Sequence, residues 1–558
     1  MLLSHCVGST GDASSLGRAP AAELLRNIYA VVLGYGGNND WFNGALTFAE
    51  MGGDSLLAIE AAHKLSSAIR LRRTVDNQSV HYVITAVDLM EHPSSFIVKC
   101  IEEGLIECIG GKYRKKRKKE ENAPIENVNA NTLTYLGDAI MNEYSNSPPC
   151  GKAFVDVVWK CPLLMCVDAP PLVIRHDLIG EIVMVGSQGG DILCACADTG
   201  KVLCRTALEG KIEGGMNVLK VSREVAEKER TLVFVCTYGN TSESSSRLGA
   251  LHCFELDPSS SSFLTPVWKH VVPGELKGKP ACFRLGGTCP ESNENNIFGV
   301  IVSGYDGVAL YLDALTGYEI GQCKDLGGAV HASPSLFWLD GSNKKELRAI
   351  VASATWSGQV TCLSITATSV SKVWAVNCWA PIYACPLIWK DKEPEESNLL
   401  SVLFGSVDGS IRRLNAADGG EIWRENSVKQ KPIFSGCCPV RTDGKDSVVF
   451  GSHDGYVSCV SIKDGRRQWI FDSRASVVAT PLVIQGYIVI ASTSGMIFYV
   501  DSCNGKEIAR LHDCLGGEVF SSPCRDLETN LYVYCGSRDN CLYKVCKKKL
   551  PYLMQNTE

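Results

Sequence analysis

One short motif, Gly52-Gly53-Asp54-Ser55-Leu56, has the residue types and spacing needed to present a reactive hydroxyl group. The two glycines can form a tight turn, because glycine adopts backbone angles that other residues avoid. Ser55 stands at the predicted start of a helix, so a phosphodiester on its Oγ would lie beside free N–H groups and the positive end of the helix dipole. The alternative is a plain helix cap formed by Asp54-Ser55.

The motif resembles the attachment site of phosphopantetheine carrier domains, whose usual form is an aliphatic residue, then Gly-Gly-Asp/His-Ser-Leu. Here Met51 takes the aliphatic position, a mild departure, and Trp41-Phe42 and the stretch EHPSS at 91–95 also match the family's pattern. The resemblance implies 4'-phosphopantetheine bound covalently to Ser55. It also implies a phosphopantetheinyl transferase as a partner, which would contact Gly52, Gly53, Asp54 and Leu56.

The segment around this motif, residues 19–105, has the spacing of apolar residues that is typical of helices. One face repeats every 3.6 residues in two places: Leu24, Leu25, Ile28, Val31 and Val32, and then Ile59, Ala62, Ser66 and Ile69. Two further short helices are predicted near Val83–Met90 and after Pro93. We therefore expect an all-α four-helix bundle, the carrier domain, although the stretch RLRRTVDNQSVHYVI is longer than the family usually has between its second and third helices.

Residues 106–150 are predicted to be a basic and polar linker, and residues 1–18 a disordered N-terminus. The run Lys112–Lys119 has seven cations in eight positions, followed by acids, Asn and Pro. Such a block is typical of a solvated linker. A nuclear localisation signal and a phosphate-binding patch remain open as alternatives.

From residue 151 to 548 the sequence repeats. The clearest copies are GSVDGSIRRLNAADGGEIW at 405–423 and GSHDGYVSCVSIKDGRRQW at 451–469. Asp-Gly pairs supply the turns of tight hairpins, and each copy is preceded by a short strand that usually contains proline. One copy therefore predicts a four-stranded unit. Stacking about eight such units (seven to eight) around an axis gives an all-β propeller.

The two ends of this region complement each other. The last copy ends before the strand that contains Trp in other copies, and Phe154–Lys160 supplies a strand of that type. We expect the ring to close by pairing the first and last strands, which removes exposed edges. Residues 549–558 are then a C-terminal tail.

The propeller repeats resemble those of quinoprotein-type propellers, some of which bind pyrroloquinoline quinone and calcium. The neighbouring Cys437 and Cys438 invite comparison with the vicinal disulfide of such enzymes, but two core cysteines explain them more simply. No acidic and amide cluster for calcium is apparent. We expect no pyrroloquinoline quinone and no metal site.

A carrier domain followed by a quinoprotein-like propeller resembles one family. Its members are called beta-alanine-activating enzymes, aminoadipate-semialdehyde dehydrogenase homologues or acyl-CoA synthetase family member 4, with plant acyl-activating relatives. The resemblance implies an AMP-forming ligase in fatty acid metabolism or amino-acid activation, with an adenylation domain before the carrier. That domain is not apparent here, so we expect a fragment or short isoform with no complete active site, served by an adenylation domain in trans.

Composition indicates which partners and which cellular location to expect. The formal net charge is −6, which does not favour nucleic acid or an anionic membrane as a partner. No apolar run reaches the roughly 18 residues of a spanning helix, and the first residues do not form a signal-peptide pattern. The 26 cysteines include no CxxC pair, and the ten histidines are scattered, with none beside a plausible nucleophile. We expect a cytoplasmic protein with free thiols.

Three functional hypotheses stay open. In the first, Ser55 holds an acyl or aminoacyl thioester on its arm, and the propeller docks a partner or shields the loaded arm. In the second, the propeller is an interaction scaffold and the carrier is vestigial. In the third, the chain is a quinone-dependent oxidoreductase.

Overall fold

Glycine-containing turns between short apolar strands divide the sequence into repeated four-stranded units. The computed structural model describes Ile28 and residues 153–549, except for 177–178, 222–229, 240–247, 259, 261, 286–296, 341–344, 392–399, 443–444, 485 and 512. The chain divides into two units, Met1–Ala130 and Asn131–Glu558. Every described residue except Ile28 belongs to the second unit.

The strands follow in this order: β1 Ala153–Pro162, β2 Leu172–His176, β3 Gly180–Gly186, β4 Asp191–Cys196, β5 Val202–Ala207, β6 Asn217–Val221, β7 Arg230–Tyr238, β8 Gly249–Leu256, β9 Leu264–Val272, β10 Ala281–Leu285, β11 Ile297–Ser303, β12 Ala309–Asp313, β13 Glu319–Cys323, β14 Ser335–Asp340, β15 Lys345–Ala352, β16 Gln359–Ile365, β17 Val370–Asn377, β18 Leu387–Lys390, β19 Leu400–Gly405, β20 Ser410–Asn415, β21 Glu421–Asn426, β22 Cys438–Thr442, β23 Lys445–Gly451, β24 Tyr456–Ser461, β25 Arg467–Asp472, β26 Leu482–Ile484, β27 Tyr487–Ala491, β28 Ile497–Asp501, β29 Glu507–Arg510, β30 Cys524–Arg525, β31 Tyr532–Ser537 and β32 Cys541–Lys549.

These strands form eight four-stranded antiparallel sheets, which we call blades 1 to 8. Blades 1 to 7 take four consecutive strands each, from β2–β5 to β26–β29. Blade 8 consists of β30, β31, β32 and β1. The first strands of neighbouring blades contact one another, for example β2 with β30 and β22 with β26, so they surround the axis. The structure is thus an eight-bladed propeller, and the predicted blade number is confirmed.

The core lies between the blades. Second and third strands such as β19 and β20 are almost fully buried, whereas fourth strands such as β17 and β21 alternate exposed and half-buried residues at the rim. Residues of neighbouring blades share apolar clusters, one of which joins Leu232 of β7 to Val300 of β11. Burial of these faces is the main stabilising contribution, because neither face of a single blade could be buried alone.

Tryptophan side chains lock five of the eight blade junctions. Each lies on a fourth strand and donates its indole N–H to a carbonyl oxygen of the next blade, as Trp423 does to Ile462 at 2.7 Å. Its ring covers a turn glycine of that blade; a Cβ on Gly465, whose φ is +71°, would lie 2.9 Å from Trp423. The same pairs are Trp159 with Gly200, Trp268 with Gly317, Trp374 with Gly419, and Trp469 with Gly505.

The ring closes through blade 8. Strand β1 pairs antiparallel with β32 from Ala153 opposite Lys549 to Pro162 opposite Cys541, the pairing expected of the Phe154–Lys160 segment. A register shift between Val157 and Trp159 changes the faces that β1 presents. Val155 therefore packs in the cluster shared with blade 7, while Trp159 packs in the cluster of blade 1.

The predicted fold class is wrong in its helical part. Among the described residues, Ile28 is the only helical one, and a single residue does not define a four-helix bundle. All other described regular structure is β, so the fold class that the structure supports is an all-β propeller. The 3.6-residue apolar spacing shows only that a helix over residues 19–105 would be amphipathic. It does not show that the segment folds as an all-α bundle.

Candidate functional site

The residues predicted to hold the phosphopantetheine arm lie outside the described residues. These are Ser55 and its neighbours Gly52, Gly53, Asp54 and Leu56. The basic run Lys112–Lys119 also lies outside them. The candidate site that the structure describes is therefore in the propeller.

Two rings of residues surround the axis on the face where each fourth strand connects to the next first strand. Ring A lies in these connections, one residue from each: Asp168, Glu213, Lys277, His331, Tyr383, Phe434, Val478 and Phe520. Ring B lies where second strands end and in the turns that lead to third strands: Gln188, Tyr238, Tyr305, Ala354, Val407, His453, Thr493 and Arg538. The backbone N–H of every ring B residue donates to the carbonyl oxygen two residues before a ring A residue, at 2.8–3.0 Å. The eightfold backbone thus fixes both rings.

Charged groups of ring A pair with each other in blades 1 to 4. The Nε2 atom of His331 donates to Oε1 of Glu213 at 3.1 Å. The ammonium group of Lys277 lies 3.9 Å from Glu213 and 3.6 Å from Glu275. It also lies 4.6 Å from the ring centre of Tyr238 and 4.9 Å from that of Tyr305. Two carboxylates and two aromatic faces therefore surround one primary ammonium group.

A second chain of polar contacts continues from Tyr238 to blade 8. The Tyr238 hydroxyl donates to Gln188 at 2.8 Å, and the amide group of Gln188 donates to Asp168 at 3.2 Å. Asp168 also accepts a hydrogen bond from Nε of Arg538 at 3.0 Å. The guanidinium of Arg538 lies 3.7 Å above the Phe520 ring. The contacts therefore cross the two junctions from blade 2 through blade 1 to blade 8 without a gap.

The other half of the rings is aromatic and apolar. His331 packs edge-on against Tyr383, Tyr383 against Phe434, and Phe434 against His453, with ring centroids 5.2–6.1 Å apart. These are favourable distances for edge-to-face pairs. Val407, Val478 and Ala354 complete this half. The two rings together therefore offer a charged half beside an apolar half.

The electrostatics of the charged half favour an ionised Glu213. Burial alone would raise the pKa of this carboxyl, but the hydrogen bond from His331 and the charges of His331 and Lys277 outweigh it and hold the pKa at about 2. Burial, together with nearby acidic and phenolic groups, raises the pKa of Tyr238 and Tyr305. Both phenols are therefore neutral hydrogen-bonding groups at physiological pH.

We expect Glu213→Gln to reduce stability at neutral pH much more than in acid. The folded pKa of about 2 lies below the ordinary value of 4.5. The stabilisation is therefore complete above pH 4.5 and is lost as the pH falls towards 2. Urea unfolding at pH 6.5 should show a loss of about 1–3 kcal/mol, and this difference should shrink at pH 3.

Glu209→Gln is the matched control, because Glu209 forms an ion pair of similar length with Lys269 on an exposed surface. Its effect should stay below about 0.5 kcal/mol at both pH values. If the two variants lose the same free energy, the Glu213–His331–Lys277 cluster contributes nothing special.

The rings present paired charges, aromatic faces and fixed hydrogen-bonding groups. Each charged side chain of the ring A charged half already has a partner of opposite sign, and no serine or cysteine adjoins the His331–Glu213 pair in the contacts described. Within the described ranges, no group of three or more His, Cys, Asp or Glu could hold a metal ion. What the rings offer is carboxylates, aromatic faces and fixed hydrogen-bonding groups, which bind ligands without covalent chemistry.

The two adjacent cysteines of the sequence belong to neither ring and lie at the start of β22, three and four residues after Phe434. Cys437 is buried, Cys438 is half-buried, and both are free thiols. Burial raises the pKa of Cys437 to about 12 and that of Cys438 to about 11. Both thiols are therefore protonated and unreactive at neutral pH.

Sequence reasoning missed both rings, although a signal was present. Six of the eight ring A residues, all except Glu213 and Phe434, stand three positions before a proline near the start of a first strand, as in Asp168 before Pro171 and His331 before Pro334. Alignment of the copies on this proline gathers six members of ring A, whereas alignment on the turn glycines leaves the histidines at scattered positions.

A comparison with protein families identifies the propeller. A family model described as "Beta-alanine-activating enzyme, beta-propeller" matches residues 163–546, most of the chain. The chain belongs to this family.

Individual relatives match over shorter stretches. The human beta-alanine-activating enzyme is 35% identical over 112 residues, which are 19% of this chain and 10% of that protein. The Drosophila melanogaster beta-alanine-activating enzyme is 27% identical over 211 residues, 34% of this chain and 19% of that protein. The chain thus spans between a tenth and a fifth of these curated relatives. Among solved structures, BamB from Moraxella catarrhalis aligns with 71% of this chain and 98% of that chain, at 14% identity and a TM-score of 0.46.

In the part of the chain that the structure describes, no helix has the length and apolar character needed to cross a membrane.

Proposed function

We propose that this chain carries an acyl or aminoacyl group on a phosphopantetheine arm at Ser55, and that the propeller is the docking module of that carrier. The observation on which the proposal depends is the motif Gly52-Gly53-Asp54-Ser55-Leu56 in a chain whose propeller belongs to the beta-alanine-activating enzyme family. The thiol of the arm would receive the group from an AMP-forming adenylation domain and hold it as a thioester.

The name of the relatives suggests which group is carried. They are beta-alanine-activating enzymes, so we propose β-alanine or a similar short amino acid. Such a group keeps a free ammonium when its carboxyl forms the thioester. The charged half of the rings supports this proposal, because Glu213, Glu275 and the Tyr238 and Tyr305 rings already accommodate the ammonium of Lys277. An aminoacyl group has the chemistry that these side chains bind.

The apolar half of the rings supports a docking role for the propeller. Tyr383 and Phe434 lie beside the charged half and form an edge-to-face pair. An arm ending in a charged aminoacyl group needs both kinds of surface. The same rings favour a second candidate, a scaffold that binds a partner without a working carrier, because they are complete within the propeller.

Loading the full-length chain separates these candidates. We expect coenzyme A, Mg²⁺ and a broad phosphopantetheinyl transferase to add one arm per chain, seen by intact mass. An AMP-forming adenylation domain with ATP and β-alanine should then add one aminoacyl group, which hydroxylamine removes. Loading of other acids in preference to β-alanine would refute the proposed substrate, and failure to accept any arm would favour the scaffold.

The docking role has its own readout in the same experiment. Tyr383→Ala in the loaded chain should shorten the lifetime of the thioester in water, because the aromatic surface that shields it is lost. Tyr318→Ala is a suitable control, since Tyr318 is 76% exposed, belongs to neither ring and lies between β12 and β13 of blade 3. Equal thioester lifetimes in both variants would show that the rings do not shield the arm.

A further inference from the structure

The junction between blades 1 and 2 lacks the contact, found at five other junctions, between a fourth-strand tryptophan and a turn glycine of the next blade. In the locked junctions of blades 5 and 6, tryptophan follows a turn glycine by four residues, as Trp423 follows Gly419 and Trp469 follows Gly465. The residue four positions after Gly200 is Cys204. In the turn between β8 and β9 of blade 2, the residue with a positive φ is Phe263 instead of glycine, at +58°. At this junction the small Cys204 therefore takes the place of tryptophan, and the large Phe263 takes the place of the turn glycine.

Cys204 faces a second cysteine. Cys194 on β4 is its direct partner in the antiparallel register with β5. At the same position in blades 2, 4 and 6 a cysteine faces tryptophan: Cys253 with Trp268, Cys362 with Trp374, and Cys459 with Trp469. Cα atoms of directly opposed residues are about 4.5–5.5 Å apart, which falls within the range that a disulfide spans. Blade 1 thus has the third-strand cysteine of blades 2, 4 and 6 together with a fourth-strand cysteine in place of tryptophan. These two cysteines form a facing pair of thiols.

The two thiols have unequal environments. Cys194 is buried, whereas Cys204 is half-buried on the fourth strand at the rim. The interaction with Cys204, together with burial, raises the pKa of Cys194. The interaction with Cys194, assisted by Thr206 and opposed by burial, lowers the pKa of Cys204. The accessible thiol is therefore the better nucleophile, and the buried thiol lies beside it.

We propose that Cys204 and Cys194 form a peroxide-oxidisable dithiol, in which Cys204 is the attacking cysteine and Cys194 the resolving cysteine. The Cys204 thiolate attacks the terminal oxygen of a hydroperoxide; the S–O bond forms as the O–O bond breaks, and the departing alkoxide or hydroxide takes a proton from water. Cys204 becomes a sulfenic acid and the peroxide is reduced. Cys194 sulfur then displaces the sulfenic oxygen, which leaves as water with the thiol proton, and the disulfide forms.

Trypsin makes the bond directly observable. Cleavage after Arg175, Lys201 and Arg205 places Cys194 in peptide 176–201 and Cys204 in peptide 202–205. After hydrogen peroxide treatment of the full chain and alkylation of the remaining thiols, we expect these two peptides to be linked in nearly one copy per chain. A thiol reductant should restore the unlinked peptides.

Three variants identify the two sulfurs. Cys194→Ser and Cys204→Ser should each reduce the linked peptide to background. Cys194→Ser should also leave a sulfenic acid on Cys204 that dimedone traps. Cys196→Ser is the matched control, because Cys196 shares peptide 176–201 and its pKa is lowered by Thr199 and nearby backbone groups despite burial, yet no cysteine faces it. It should leave the link unchanged.

Two results would overturn the proposal. One is a link that survives in Cys194→Ser and disappears in Cys196→Ser, which would assign the bond to Cys196. The other is an unlinked wild-type chain in which peroxide oxidises the exposed Cys385 or Cys503 while Cys204 stays reduced.

Discussion

Val155→Asp is expected to open the propeller ring and lower the free energy of unfolding by about 3 kcal/mol or more, because a fully buried apolar side chain is replaced by a carboxylate whose desolvation costs several kcal/mol. Val155 is fully buried and lies opposite Lys547 on β32, with a further bridge to Leu511 beyond blade 7. Val155 thus lies between blade 8, to which its strand belongs, and blade 7, whose apolar cluster contains its side chain. A carboxylate there would have to be protonated, reach water or draw Lys547 away from the Tyr487 ring of blade 7, and each change weakens the contact of β1 with blade 7.

Val158 provides the control on the same strand. It is 43% exposed, so Val158→Asp should change the free energy of unfolding by less than about 0.5 kcal/mol. Urea unfolding followed by tryptophan fluorescence measures both variants. Equal midpoints for the two would show that β1 does not hold the ring closed.

Deleting β1 tests the same junction more severely. Without Ala153–Pro162, strand β32 loses its outer partner and Trp159 no longer donates to Ala197. The buried Lys544, whose ammonium donates to the same carbonyl at 2.8 Å, loses the strand that covers it. An exposed edge of this kind pairs with other chains, so we expect aggregation in place of a cooperative transition.

The sequence predicted most strongly what repeats locally. Two turn glycines such as Gly455 and Gly465, with Trp469 four residues later, define one blade within about 20 residues. The copies of blades 2 and 4 were weaker. In blade 2, Phe263 replaces the turn glycine, and in blade 4 the turn between β16 and β17 contains no glycine. The fold tolerates a larger residue at such a turn when the residue that packs on the turn is smaller, as Cys204 is beside Phe263.

Large and small side chains also face each other across the third and fourth strands of single blades. In blades 3 and 7 the fourth strand has Gly or Ala and the third strand has a tyrosine: Tyr311 faces Gly321, and Tyr499 faces Ala509. Both tyrosines are almost fully buried. No pattern within a single copy predicts such a pair, because each residue is explained only by the side chain opposite to it.

The candidate rings were harder to predict for a related reason. Neighbouring members of ring A, such as Lys277 and His331, are some fifty residues apart, and contacts such as His331 with Glu213 span two connections. Only the eightfold backbone brings them together. The carrier residues pose the opposite case: their motif is compact and readable, but they lie outside the described residues, and the all-α bundle predicted around them is not the fold class that the structure supports.

Ser55→Ala is therefore the substitution with the largest expected effect on function: complete loss of the phosphopantetheine arm. With coenzyme A, Mg²⁺ and a broad transferase, the wild-type full-length chain should gain one arm, and Ser55→Ala should gain none. Ser66→Ala, in the same predicted domain, should gain one arm like the wild type. Asp54→Ala should slow the modification without abolishing it, since Asp54 would contact the transferase but has no bond to the arm.

The urea midpoint of the propeller should be unchanged in all three variants, because the substituted residues lie outside its strands. An arm that persists in Ser55→Ala would assign the attachment to another residue, and a wild-type chain that accepts no arm from several transferases would leave the scaffold as the better account of this propeller.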